Sequence, residues 1–115
     1  MMPEPSPAAQ GAAAYRRRLT PKQMEAEVFA HATRAIRTAE DGGSGMDRVR
    51  ATADNRRLWN AVYGAVTDPT NALPRELRAQ IASIALAVIR ECDAESPDLN
   101  FVVEMNEHFA AGLWH

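Results

Sequence analysis

Asn55-Arg56-Arg57-Leu58-Trp59, followed by Asp68-Pro69-Thr70-Asn71-Ala72-Leu73-Pro74 and then Leu77-Arg78-Ala79, places a Trp-bearing helix, a proline-punctuated turn and a strongly apolar helix in fixed order. Wound at about 100° per residue, Leu58, Trp59, Val62 and Val66 share one apolar face, and Asn55 falls in the middle of it. A carboxamide in that position needs hydrogen-bond partners, because a buried and unsatisfied one costs roughly 1–3 kcal/mol. The order of elements describes how a small helical core is closed.

Upstream of this stretch, Thr20-Pro21-Lys22-Gln23 reads as a helix start. Thr20 can cap, Pro21 presets φ at the first helical position, and Gln23 completes a capping box. Met24, Val28, Ala32, Ala35, Ile36 and Ala39 then recur at helical spacing. Glu40-Asp41-Gly42-Gly43-Ser44-Gly45 ends that helix. The second helix is predicted from about Met46 to Val66, with Ser44 as its candidate cap, and Thr67 to Leu73 forms the turn. Pro74 opens a third helix that runs to about Glu95 and carries Leu77, Ile81, Ile84, Ala85, Val88 and Cys92 on one face. Ala82, Leu86 and Ile89 widen its apolar arc, as expected of a central helix packed on two or more neighbours. Ser96-Pro97 begins a fourth helix, reaching about Gly112, with Phe101, Val102, Met105 and Phe109 as its principal stripe. The fold predicted is all-α, a small antiparallel bundle of about four helices with the third buried. There is no internal repeat and no sustained heptad.

With 115 residues the chain suits one domain, assigned to residues 20–115 behind a flexible amino-terminal tail, residues 1–19. The tail is rich in Pro and Ala and too poor in large side chains to offset ordering entropy. Ala8 to Ala14, broken by Gln10 and Gly11, offers no signal-peptide core. The apolar run Ile81 to Ile89 is far short of the ~20 residues of a membrane-spanning helix. The cytoplasm is the expected compartment, and a lone cysteine, Cys92, suits reducing surroundings. A net charge of −2 argues against a dedicated nucleic-acid binder. Arg16 to Arg18 beside Tyr15 are the only basic cluster, read either as a solvated charge run or as a contact for RNA or an acidic partner.

Catalysis needs convergent polar groups, and few are offered. His31, His108 and His115 are scattered without ligands at metal spacing, so neither a metal site nor a cofactor is expected. Cys92 lies on an apolar face and reads as an inert buried thiol. Gly42-Gly43-Ser44-Gly45 lacks the Lys-Ser/Thr ending of a phosphate-binding loop. Glu25 with Glu27, and Asp93 with Glu95, stand two apart on helices and point to different faces. The expectation is a protein without catalytic residues.

Binding offers more. On the fourth helix Leu99, Val103, Ala110 and Trp114 make a second stripe, with Asn106 between the two. Either that helix is wedged between neighbours, or one stripe stays open for a partner's amphipathic helix. In the open case Leu99, Val103, Asn106 and Ala110 are the candidate contacts, joined by Arg56 and Arg57, which project away from the centre of the second helix's apolar face. A folded Val103→Glu variant with weakened binding would mark the open stripe, and an unfolded one the core. Asn55 and Arg78 are read as structural, one or the other hydrogen-bonding the proline-interrupted turn or a helix end and fixing the angle between helices two and three. Contact with a partner is the alternative.

The Asn55-to-Trp59 run, Asn71-x-Leu73-Pro74 and Leu77-Arg78-Ala79 together resemble the bacterial flagellar biosynthesis regulator FlaF family. Tyr15, Pro21 with Gln23 and Glu25, Phe29, Thr33-Arg34, Glu104-Met105-Asn106 and Gly112-Leu113 fall in similar order, so the likeness spans nearly all the chain beyond Ala12. The central combination is specific, whereas the helix-one matches alone would not be. The resemblance implies a small cytoplasmic helical protein without catalysis, acting in flagellin production and export beside a second regulator, FlbT, which restrains flagellin translation. Flagellin is then the implied partner, bound as by a secretion chaperone or adaptor. The competing expectations are a post-transcriptional regulator of flagellin messenger RNA, acting directly or through FlbT, and a non-catalytic scaffold. Of the signature, Asn55, Leu58, Trp59, Asn71, Leu73, Pro74, Leu77 and Arg78 are expected to serve the architecture.

Overall fold

Proline, glycine and short polar side chains delimit four helices among the described residues: α1 (Pro21–Glu40), α2 (Gly45–Thr67), α3 (Arg75–Cys92) and α4 (Leu99–Gly112). The structure is a computed structural model that describes residues 21–112, with side chains from Ala26 onward. The readings made for the tail, Tyr15 to Arg18, the Thr20 cap, Met24, Glu25, Leu113, Trp114 and His115 lie outside the described residues.

Gly42 ends α1 at φ +87°, a conformation that side-chain-bearing residues rarely adopt. The Gly43 N–H then donates to the Ala39 carbonyl at 3.1 Å. A Cβ on Gly43 would sit 2.5 Å from that same carbonyl oxygen, so the close return of the chain needs glycine there. Ser44 opens α2 with a reciprocal capping box. Its hydroxyl accepts from the Asp47 N–H at 3.1 Å, and its own N–H donates to Asp47 Oδ2 at 3.0 Å.

The α2–α3 turn closes on itself. Asp68 Oδ1 accepts from the Thr70 N–H at 2.8 Å and the Thr70 hydroxyl at 2.7 Å, which holds the Asp68 carboxyl below its ordinary range. Asn71 Nδ2 donates to the Ala65 carbonyl at 2.9 Å, and Asn71 Oδ1 accepts from the Leu73 N–H at 2.9 Å. This corrects the expectation that Asn55 or Arg78 secures the turn: local Asp and Asn side chains already satisfy it. The start of α4 also differs. Asp98, not Ser96, caps it, accepting from the Phe101 N–H at 3.2 Å while its own N–H donates to Glu91 Oε1 at 2.7 Å.

The core joins Phe29, Ile36, Ala39, Ala51, Trp59, Ala85, Val88, Leu99, Val102 and Val103. Phe29, Trp59 and Phe109 meet as an aromatic trio with ring centroids 4.8–5.4 Å apart and steeply inclined planes, the favoured edge-on geometry. Two apolar stripes shift from the sequence reading. On α1, Phe29 points inward and Val28 is 50% exposed. On α3, Ile81, Ala85, Val88 and Cys92 are buried, but Leu77 and Ile84 stay 41% and 37% exposed.

Helix α3 is therefore not the enclosed centre. The most extensive pairings are α2 with α3 and α1 with α4, then α1 with α2, and α3 meets α4 over less than any of these. The residues that widen α3's apolar arc, Ala82, Leu86 and Ile89, are only half-buried. Both stripes of α4 face inward instead: Leu99, Val102, Val103 and Asn106 are buried, and Phe101, Met105, Phe109 and Ala110 pack partly against the core. No helix among the described residues is long and apolar enough to cross a membrane.

Candidate functional site

The helical register that turns Trp59 into the core carries Asn55 with it, one turn earlier. Both are fully buried, as is Asn106 on α4. The Trp59 indole N–H donates to Asn106 Oδ1 at 2.8 Å. Asn106 Nδ2 donates to Asn55 Oδ1 at 2.7 Å. Asn55 Nδ2 in turn donates to the Ala51 carbonyl at 2.8 Å and, across to α1, to the Ala32 carbonyl at 3.1 Å. The carboxamide that looked anomalous in the sequence is thus satisfied, and it ties α1, α2 and α4 together rather than fixing α2 against α3.

The predicted contact residues divide. Leu99, Val103 and Asn106 are interior and Ala110 is half-buried, so this stripe is a core face in the folded chain and the wedged reading of α4 holds. Arg56 and Arg57 are exposed but already engaged. Arg56 pairs side-on with Asp93 (Nε–Oδ1 2.6 Å, Nη2–Oδ2 3.3 Å), which raises the guanidinium pKa and clamps α2 to the end of α3. Arg57 pairs with Asp54 at 3.0 Å along α2, and Arg37 with Glu107 at 2.6 Å joins α1 to α4.

Leu58 is half-buried and Trp59 fully buried, as the architectural reading of the signature expects. Asn71 latches the turn, and Pro74 stands at the cap position of α3. Leu73 and Leu77 are exposed, and Arg78 is half-buried with its Nε enclosed and without a hydrogen-bond partner. The role of Asn106 was signalled in the sequence only by its position between two apolar stripes.

Burial pushes the Cys92 thiol up to about 11, with neighbouring Asp93 adding to the effect, so it stays protonated at neutral pH. Among the described residues no group of three His, Cys, Asp or Glu side chains is placed to hold a metal. Two shallow grooves stand out among the described residues. One, between α1 and α2, is lined by polar and charged groups including His31, Arg34, Asp47 and Arg50. The other runs between the start of α2 and the α3–α4 loop, over Val49, Ala53, Cys92, Pro97 and Leu99.

The profile of the flagellar protein FlaF family matches residues 9–113, nearly the whole chain and all four helices. The chain belongs to the FlaF family. No curated protein and no solved structure gives a significant match. Membership of the FlaF family gives the chain a flagellar role, and the geometry shows what part of the FlaF-like signature does physically. Asn55 and Trp59 build the interior relay, and Asn71 closes the turn.

Proposed function

We propose that this protein supports flagellin synthesis and export by binding flagellin in the cytoplasm as a non-catalytic chaperone or adaptor. The observation that carries the reading is apolar side chains left at the surface of the bundle, Val28, Met46 and Val49 on α1 and α2 and Leu73, Leu77 and Ile84 at α3. Exposed apolar residues clustered along a rigid helix suit capture of an amphipathic segment that orders on binding. Family membership supplies the flagellar context. An FlbT-type regulator is a further candidate partner.

Pull-down of purified protein with full-length flagellin, and with flagellin lacking its carboxy-terminal segment, at low and high salt tests this. Retention of flagellin at both salt concentrations is expected, because apolar burial is weakly screened. Failure to retain any flagellin, with capture of its messenger RNA that falls steeply as salt rises, would replace this reading by the post-transcriptional one.

A further inference from the structure

Helix α2 carries a second apolar stripe outside its core face. Met46, Val49 and Ala53 follow at three- and four-residue spacing and share one flank, while Ala51, Asn55, Trp59 and Val66 turn inward. Val49 is 63% and Met46 58% exposed, more than any other large apolar side chain among the described residues. The flank is also concave. Val49 and Ala53 line the groove against the α3–α4 loop together with Pro97 and the buried Cys92 and Leu99.

The groove wall bears free charge of both signs. Arg48 on α2 and Glu95 in the α3–α4 loop line it, and neither takes part in an ion pair among the described residues. The other guanidinium there, Arg56, is taken up by Asp93. An acidic partner would be opposed by Glu95 and a basic one by Arg48, whereas a surface bearing one charge of each sign serves both. The groove is itself such a surface. A twofold axis apposes the same patch from two chains, and so can set Arg48 of each beside Glu95 of the other.

The chain's own amino-terminal segment fits less well. Phe29 meets Trp59 and Asn55 reaches Ala32, so α1 runs antiparallel to α2 and starts at the end away from the groove. A segment preceding Pro21 would have to return along most of α2, about 30 Å at 1.5 Å per residue. It would also bring Arg16 to Arg18, of the same sign as Arg48.

We infer that this groove is the contact face of a homodimer, in which the Met46–Val49–Ala53 stripes of two copies pack about a twofold axis and Arg48 of each chain pairs with Glu95 of the other. The inference does not depend on flagellin binding, because its readout is self-association of the full chain.

Sedimentation equilibrium from micromolar to millimolar concentration should show a monomer–dimer equilibrium. Val49→Glu, at an exposed side chain, should keep the parent's helical circular dichroism and weaken the dimer at least about tenfold in Kd. Arg48→Glu makes both free charges of the groove acidic and Glu95→Arg makes both basic, so each variant alone should also dimerise about tenfold more weakly. Mixed in equal amounts, these two variants should associate about as tightly as the parent, since every contact across the axis again joins opposite signs. A charge pair formed within one chain predicts no such rescue, and the mixture keeps the test available if Val49→Glu folds poorly. A parent that stays monomeric overturns the inference, as does a dimer indifferent to Val49→Glu, or a mixture no tighter than its components. A monomeric parent whose flagellin retention is lost in Val49→Glu would assign the groove to flagellin instead. A dimer that behaves as described but retains no flagellin upholds the inference while the flagellin reading falls alone.

Discussion

Asn106 makes the clearest residue-scale prediction, because removing its carboxamide orphans two enclosed groups at once, the Trp59 indole N–H and Asn55 Oδ1. Asn106→Ala should destabilise the fold by roughly 2–6 kcal/mol, at about 1–3 kcal/mol per unsatisfied group, measured by urea denaturation. Adding Asn55→Ala should cost less than the sum of the single changes, with a coupling of about 0.5–3 kcal/mol in the double-mutant cycle. Val103→Glu places a carboxylate at a site only 7% exposed, and its circular dichroism should show loss of helix. Cys92 should resist thiol reagents at neutral pH in the native state and react once denatured. Its folded pKa is raised from 9.0 to about 11, so the folded state holds the proton more tightly. The associated stability is present below about 9 and is lost as pH rises through 11. The sequence made Asn55 conspicuous because an amide on an apolar face demands partners. It could not name Asn106, since the pairing spans 51 positions and periodicity reports only one helix at a time.

At the scale of elements, helix starts depend on small polar caps whose effects can be measured singly. Ser44→Ala removes the hydroxyl half of the capping box and should lower stability by about 1 kcal/mol. The same change should alter the acid limb of the stability profile. Hydrogen bonds from the Ser44 N–H and hydroxyl hold the Asp47 carboxyl below the ordinary carboxylate range. A depressed carboxylate contributes stability above its unfolded pKa and loses it as pH falls through the folded value. Stability of the parent should therefore fall more steeply below about pH 4 than that of Ser44→Ala in matched acid titrations. The helices were legible because Pro21, the glycines after Asp41, Ser44, Pro74 and the Ser96–Asp98 segment punctuate the chain with known backbone preferences. The rank of α3 was not. Ala82, Leu86 and Ile89 widen the apolar arc yet stay half-buried, and only the placement of α4 shows that Leu77 and Ile84 are left uncovered.

Across the whole molecule, ties between helices are unevenly distributed. The buried amides bind α1, α2 and α4, while α3 is held by apolar contact with α2 and by the exposed Arg56–Asp93 pair near its end. Amide hydrogen exchange should therefore be faster over Arg75–Ala82 than over Ala85–Cys92, where the buried side chains concentrate, and slowest along the facing turns of α2 and α4. Equal protection along α3 would contradict this gradient. The buried amides also have a polarity. An indole nitrogen can only donate and a backbone carbonyl can only accept, so between Trp59 and Ala32 each carboxamide has a single permissible flip. An aspartate at either position would set acceptors face to face, against Asn55 Oδ1 in one case and the Ala32 and Ala51 carbonyls in the other. Exchanging a single amide nitrogen for oxygen, with the side chain's shape left intact, would thus be enough to turn the bundle's central tie into a repulsion.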